Sequence, residues 1–316
     1  MRVLIAGCGY VGTALGSELV KAGHEVWGLR RDVDASRTLS RSGIKSIVAN
    51  LLRADELKDL PAVDTVVLCQ APSRKNDEYR TTYFDATKNL LDQFRVGAGS
   101  RLPAGRQVPL RKIILISSTS VYAVADGSWV DETTDPTSGS HADIESRENA
   151  QAMLGQERLV LDSGHPAVVF RLAGIYGPGR NRVKSILEGR IKPVSSDIYM
   201  NRIHLFDLVR GVRLLLERGQ PGEIYLGSDD APCTQREFYA WVFEKLSMAL
   251  PNAGTIHGSF PHSHGSNKRV SNKKIKALGL KFRYPTYKEG YELLIAQALA
   301  ESAGRDQTRR AEWLSR

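Results

Sequence analysis

The stretch "VLIAGCGYVG", residues 3–12, decides the fold. Four apolar residues run without a polar break, the pattern of a strand buried on both faces. They lead into Gly7, Gly9 and Gly12, and the "YVGTALGSELVKAG" that follows has helical periodicity closed by Gly23. In this G-x-G-x-x-G spacing the first glycine makes the tight turn and the second lets backbone approach a pyrophosphate. The third lets the helix pack on the strand. The first helical amides, which have no intrahelical partner, then face the anion. Gly7, Gly9 and Gly12, with Tyr10 and Val11 between them, are therefore expected to hold a dinucleotide. A plain strand–turn–helix shows the same spacing; the position at the head of a β–α–β unit favours the binding reading.

The segments around it extend the pattern. "HEVWGLR" (24–30), "IKSIVANL" (44–51), "VDTVVLCQA" (63–71) and "RKIILISS" (111–118) are apolar strands, and "DEYRTTYFDATKNLLDQFR" (77–95) is helical. Apolar strands separated by helices indicate a parallel sheet covered on both faces. "PAVVFRLAGIYGPG" (166–179) reads as a sixth strand ending in a glycine-rich turn. The fold class is thus α/β: a Rossmann doubly wound parallel sheet with a smaller C-terminal substrate domain. Residues 1–175 are assigned to the dinucleotide-binding domain. Residues 176–303 form the smaller part, in which Rossmann elements can recur, with helices at 207–218, 234–250 and 287–303. Residues 304–316 are expected as a flexible tail. The polar stretch 138–149 reads as irregular, with a helix beginning at Ala150. Asp207 is expected to cap the helix it opens, and Thr234 with Glu237 has capping-box spacing.

Composition excludes several classes. The chain has 316 residues, 41% hydrophobic and 25% charged, the balance of a globular protein. No apolar run approaches the ~20 residues of a membrane span, and the apolar part of the N-terminus is too short for a signal peptide. A cytoplasmic location is expected, with no membrane partner. The net charge of +9 comes from basic residues spread along the chain, without a nucleic-acid-binding motif. Nucleic acid is therefore not expected, and some arginines are read as grips for small-molecule phosphates. Cys8, Cys69 and Cys233 have no metal spacing and fit no disulfide framework. The histidines of "PHSHGSNK" (261–268) lack an acidic or cysteine partner, so this is read as a loop and no metal is expected.

The second strand ends "GLRRD". Arg30 and Arg31 stand where NAD binding would require an acid for the ribose 2′-hydroxyl, and guanidinium groups there suit a 2′-phosphate. NADP is the expected cofactor and NAD the second choice; two surface arginines are the plainer alternative. Gln70 and Ala71 close the fourth strand beneath the expected cofactor path.

The fifth strand runs into hydroxyls: "IILISSTSVY", residues 113–122. With the glycine loop, "WVDE" (129–132), "FRLAGIYGPGR" (170–180) and "NRIHLFDLV" (201–209), it resembles the extended short-chain dehydrogenase/reductases. This is the NAD(P)-dependent sugar-nucleotide epimerase/dehydratase family. The resemblance implies reversible hydride transfer, usually on a nucleotide sugar. It makes Ser118 the group that polarises the substrate oxygen, with Thr119 the near alternative. It sets Asn50 and Leu51 beside the adenine, although Asn50 also reads as a strand cap, and runs the backbone of Leu172 to Ile175 past the nicotinamide. Basic residues in comparable segments grip a diphosphate, which makes Arg180, Arg202 and Arg269, with Lys184, the substrate candidates; exposed surface arginines are the alternative. Family members commonly form homodimers.

One part of the pattern is missing. The family's Tyr-x-x-x-Lys opens a helix that later carries a glutamate. Aligning that glutamate with Glu157 puts Asn149 at the tyrosine and Met153 at the lysine. Neither can move a proton near neutral pH. Tyr122, His141, Asp143 and Glu145 remain as local titratable candidates. A subgroup with a "GCGYVG" start, no Tyr-x-x-x-Lys and a "NKRVSN" segment (267–272) resembles the chain more closely. Two readings stand: an NADP(H)-preferring oxidoreductase or epimerase/dehydratase acting on a nucleotide sugar or similar compound, or a non-catalytic NADP(H)-binding sensor or scaffold.

Overall fold

The computed structural model describes residues 1–72, 79–94, 110–139, 143–190, 197–250 and 266–314. His141, His262, His264 and the Gly/Pro/Arg-rich stretch 96–109 lie outside the described residues. The strands in chain order are β1 (Arg2–Ala6), β2 (Glu25–Arg30), β3 (Lys45–Val48), β4 (Thr65–Leu68), β5 (Lys112–Ser118) and β6 (Trp129–Val130). They continue with β7 (Ala167–Leu172), β8 (Gly174–Tyr176), β9 (Tyr199–Met200), β10 (Arg202–His204), β11 (Ile224–Gly227), β12 (Cys233–Thr234) and β13 (Arg269–Val270). The helices are α1 (Tyr10–Lys21), α2 (Val33–Arg37), α3 (Ala86–Asp92), α4 (Ile144–Leu161), α5 (Val183–Leu187), α6 (Leu205–Arg218), α7 (Gln235–Lys245), α8 (Lys273–Leu278) and α9 (Tyr287–Leu314).

A seven-stranded sheet in the order β3-β2-β1-β4-β5-β7-β11 forms the centre, and every neighbouring pair is parallel. The apolar runs explain it. Val3–Ala6 and Val66–Leu68 are fully buried because both faces of the sheet are covered. On one face, Leu15 and Leu19 of α1 pack with Leu208, Val212 and Leu215 of α6 and Ile275 of α8. On the other, Leu90 and Leu91 of α3 pack with Val160 of α4. The chain reverses its direction of growth between β1 and β4, so the crevice for a ligand opens at the carboxyl ends of these strands.

The sheet takes its edge strand, β11, from beyond residue 176. The smaller part has its own core, in which Phe238 and Val242 of α7 meet Tyr287, Tyr291 and Leu294 of α9 and Val183 and Ile186 of α5. α9 continues through Leu314, so most of the segment expected as a tail is helical.

Three readings change. Helix α4 starts at Ile144, where Asp143 caps it by accepting the Ser146 amide, so 144–149 is not irregular. The sixth strand divides: Ala173 donates to the Gly227 carbonyl, and Gly174–Tyr176 then leaves the sheet to pair with β10. Asp207 lies inside α6 rather than at its cap, and its carboxylate accepts the amides of Arg283 and Tyr284. The cap is His204, whose Nδ1 accepts the Phe206 amide. Thr234 and Glu237 do form a capping box.

Burial, reinforced by Arg283, pushes the His204 imidazole down to about 4 from 6.5. The unfolded chain then binds the extra proton between those values, so this group's contribution to stability rises with pH through that window and is lost below it. His204→Asn keeps a capping oxygen and removes the titration. Urea midpoints at pH 4 and pH 7 should differ less in the variant than in the parent; an unchanged difference would count against the assignment.

Candidate functional site

A cavity of about 1240 Å³ opens over the carboxyl ends of the central strands and joins the sheet to the smaller part. Its floor begins at the glycine loop. Gly7 has φ +77°, and a Cβ there would sit 2.5 Å from backbone atoms of Gln70, so no side chain fits. A Cβ on Gly12 would come within 2.9 Å of the Ile5 side chain. Gly12 therefore serves helix–strand contact and does not line the cavity. At Gly9 the protein leaves room: the nearest atom to an added Cβ is the Gly7 carbonyl at 3.9 Å, on a residue that lines the cavity. Space kept clear at the tip of the β1–α1 turn, beside the helix's first amides, fits a diphosphate. Tyr10 and Val11 line the cavity beside it, and the Tyr10 hydroxyl donates to the Pro178 carbonyl at 3.0 Å.

The next wall is basic. Arg30 and Arg31 line the cavity after β2. The acid one step further, Asp32, is engaged as the cap of α2, its carboxylate accepting the Ala35 amide at 2.9 Å. Arg30 is half-buried and donates to the Ala35 carbonyl at 3.4 Å. Asn50 and Leu51 line the same wall, and Asn50 also closes its own turn by accepting the Leu52 amide at 3.0 Å. Gln70 and Ala71 line the floor. Gln70 donates to Thr87 at 2.6 Å, while its buried Oε1 has no partner among the described residues.

Each hydroxyl of the serine strand has a distinct environment. Ser117 donates to Glu157 at 2.6 Å, inside a buried ion pair in which Arg171 meets the same carboxylate at 2.6 Å. Thr119 donates to the Leu172 carbonyl at 3.3 Å and so ties the turn to the end of β7. Ser118 accepts the Ser120 amide at 3.1 Å, and the two hydroxyls stand 2.9 Å apart. All four residues touch the cavity, and the Ser118 and Ser120 hydroxyls bond chiefly to one another. On the facing side of α4, Asn149 and Met153 line the cavity, and Ser120 lies 3.9 Å from the Met153 sulfur.

Tyr122 corrects one expectation. It is fully buried and absent from the cavity wall. Its hydroxyl donates to the Asp131 carbonyl at 2.9 Å and accepts from Arg171 at 2.7 Å. Burial raises its phenol above the ordinary range, the Arg171 charge opposing, so it packs rather than moves protons. Asp143 is the cap of α4, and Glu145 is exposed. Arg269 is corrected too: it donates to the Gly127 carbonyl at 2.8 Å and stacks between Trp129 and Tyr199, outside the cavity. Lys184 does not line it either. Arg180 and Arg202 do. Arg180 lies over the Tyr10 ring at 5.7 Å. Arg202 is buried over Phe238, with hydrogen bonds at 3.2 Å to the Cys233 and Met200 sulfurs. Leu172 and Ile175 also line the wall.

Several lining residues escaped sequence reasoning. Tyr79 and Tyr83 face the cavity with rings 5.5 Å apart, and their i, i+4 spacing on a helix was the available signal. Burial raises both phenols above their ordinary value. Ser266 and Lys268, beside and within "NKRVSN", also line it, together with Asn201.

The sequence model of the NAD dependent epimerase/dehydratase family matches residues 3–226, and the chain belongs to that family. Among individual proteins it is similar to Protein YeeZ of Escherichia coli strain K12, at 28% identity over 292 residues, 90% of this chain and 96% of that one. It is also similar to the 4-hydroxy-2-methyl-3-oxo-4-farnesyl-3,4-dihydroquinoline-1-oxide ketoreductase of Stigmatella aurantiaca. There the identity is 28% over 258 residues, 77% of this chain and 73% of that one. In fold it resembles DesIV, a dTDP-glucose 4,6-dehydratase from Streptomyces venezuelae solved with NAD and TYD bound. The TM-score is 0.75 at 19% identity, covering 96% of this chain and 98% of the other. No helix among the described residues is long and apolar enough to cross a membrane.

Proposed function

We propose that the chain is an NADP(H)-preferring oxidoreductase or epimerase of its family, acting on a hydroxyl or carbonyl carbon of a nucleotide sugar or similar compound. The observation that carries this is one continuous cavity bringing together the glycine loop, the Arg30–Arg31 pair and the Ser118 hydroxyl. The β1–α1 turn and its amides would hold the diphosphate, and Arg30 and Arg31 a 2′-phosphate. The nicotinamide supplies or takes the hydride. Ser118 accepts a backbone N–H and shares a hydrogen bond with the Ser120 hydroxyl; turning its hydrogen from Ser120 to a substrate oxygen would polarise that oxygen. Arg180, beside Tyr10, and Arg202 supply positive charge to the cavity wall. DesIV, solved with NAD and TYD, and the ketoreductase activity named for the Stigmatella relative support this class of substrate and chemistry.

Arg30→Ala and Arg31→Ala are each expected to weaken NADPH binding about tenfold to a hundredfold, since a hydrogen bond to a charged group contributes roughly 1.5–3 kcal/mol. NADH affinity should change less than twofold by calorimetry. Equal losses for both cofactors would remove the NADP preference. Turnover is tested with NADPH, nucleotide sugars and small carbonyls, analysing products as well as absorbance because an epimerase regenerates its cofactor.

A second reading, a non-catalytic NADP(H)-binding sensor or scaffold, is favoured by Asn149 and Met153, which put an amide and a thioether on the α4 wall. Tight NADPH binding without product, unaffected by Ser118→Ala, would select it.

A further inference from the structure

The cavity contains an ammonium group that neither the glycine loop nor the serine strand accounts for. Lys268 lines the wall yet is only 5% exposed. It is brought there from the far end of the sequence. β13 pairs in parallel with β6, Asn267 exchanges backbone bonds with Gly127 and Val124, and the Asn201 amide donates to the Lys268 carbonyl at 2.8 Å. Nζ donates to the Tyr122 carbonyl at 3.0 Å and bonds the Ser266 hydroxyl. That carbonyl belongs to the residue closing the turn in which Ser118 and Ser120 stand, its amide bonded back to Thr119 at 3.3 Å. The ammonium and the serine hydroxyls are thus fixed to one short turn.

No carboxylate lies within ion-pair distance of Lys268 among the described residues. The ionisable groups on the surrounding elements are engaged elsewhere: Tyr122 with Asp131 and Arg171, Glu132 with the Leu226 amide, Arg269 with the Gly127 carbonyl, and Arg202 with two sulfurs. A buried ammonium without a counter-charge holds its proton weakly. Burial alone lowers Lys268 to about 8, within the range useful for acid–base work at neutral pH.

We propose that Lys268 gives and takes the proton at the substrate oxygen held by Ser118, a task that Asn149 and Met153 cannot perform. The assignment rests on the reading of the chain as a nicotinamide-dependent enzyme. In the reducing direction, hydride from the dihydronicotinamide adds to the carbonyl carbon and the C=O π pair moves onto oxygen. Lys268 protonates that oxygen, and the neutral amine regains its proton from water. Oxidation of the alcohol runs the same steps backwards, with the amine accepting the hydroxyl proton.

The purely structural alternative is an ammonium that pins the turn to β13. Trace labelling of the full chain with acetic anhydride from pH 6 to 11, quantified by peptide mass spectrometry, tests without a substrate whether Lys268 is reachable from the cavity and releases its proton near neutral pH, as the proposal requires. Lys268 should be modified with a midpoint near pH 8, at least one pH unit below the ordinary lysine value of about 10.4. A Lys268 that stays unlabelled, or is modified only at the ordinary lysine value, overturns the proposal. Lys268→Arg, which can keep the bonds to the turn but not release a proton, supplies the second readout. It should melt within a few degrees of the parent and keep the full NADPH-induced rise in melting temperature. Turnover of any carbonyl the parent reduces should fall at least a hundredfold, and the rate limb near pH 8 should vanish. Retained turnover and an unchanged pH profile would also overturn the proposal. Failure of NADPH to raise the parent's melting temperature would instead overturn the cofactor reading on which the assignment rests, whereas a failed labelling result with NADPH binding intact overturns the Lys268 assignment alone.

Discussion

Arg171→Ala should lower stability by about 3–5 kcal/mol, the cost of leaving one partner of a buried ion pair uncompensated. Both side chains are nearly inaccessible, at 4% and 3% exposure. Arg171 bonds the Glu157 carboxylate through Nε and Nη2 and the Tyr122 hydroxyl through Nη1, while Ser117 donates to the same carboxylate. One cluster therefore joins β7, α4, the end of β5 and the turn after it. Glu157→Ala should be comparably damaging, because it strands the guanidinium. The double replacement Arg171→Met with Glu157→Leu should cost far less than the sum of the single alanine losses, since no buried charge then remains. Urea midpoints at constant slope measure all three. A single-mutant loss below about 1 kcal/mol, the range of exposed pairs, would show that the cluster does not hold these elements together.

Gly9→Val should reduce dinucleotide affinity by at least about a hundredfold, roughly 2.7 kcal/mol, and cost only about 1 kcal/mol of stability as a poorer helix N-cap. The contrast with Gly7 carries the logic. At Gly7 a Cβ would strike the backbone of Gln70, whereas at Gly9 an added Cβ finds nothing beyond its chain neighbours closer than the Gly7 carbonyl, at 3.9 Å. Gly7→Ala is accordingly expected to lose stability, and Gly9→Val to lose ligand. Calorimetry with NADPH and a urea titration on the same samples separate the two. A Gly9→Val protein that binds NADPH as the parent does would mean that the diphosphate lies elsewhere.

These expectations show which parts of the molecule its sequence made legible. The strands of the sheet and the β1–α1 turn were readable because apolar runs and glycine spacing are local signals; Arg30 and Gln70 were singled out by their place at strand ends and Asn50 by the family resemblance, and all three line the cavity. The start of α4 was not readable. Residues 144–149 are almost entirely polar, so they carry no apolar stripe, and Asp143 as cap was the only cue. Tyr122 and Arg269 were misplaced for a related reason. Nearness in sequence to a functional segment does not say which way a side chain turns, and both turn away from the cavity. Lys268 was invisible as a site residue because its position depends on the pairing of β13 with β6, about 140 residues apart in the chain. The absence of Tyr-x-x-x-Lys was legible, but the presence of Lys268 on the cavity wall emerged only from the fold.

The proposed cofactor and substrate chemistry both require the amides at the β1–α1 turn to hold the diphosphate of a dinucleotide. Isothermal titration of the parent protein with NADPH and NADH tests it most directly. One site per chain is predicted, tighter for NADPH and abolished by Gly9→Val. No measurable heat and no rise in melting temperature with either cofactor at millimolar concentration would contradict it.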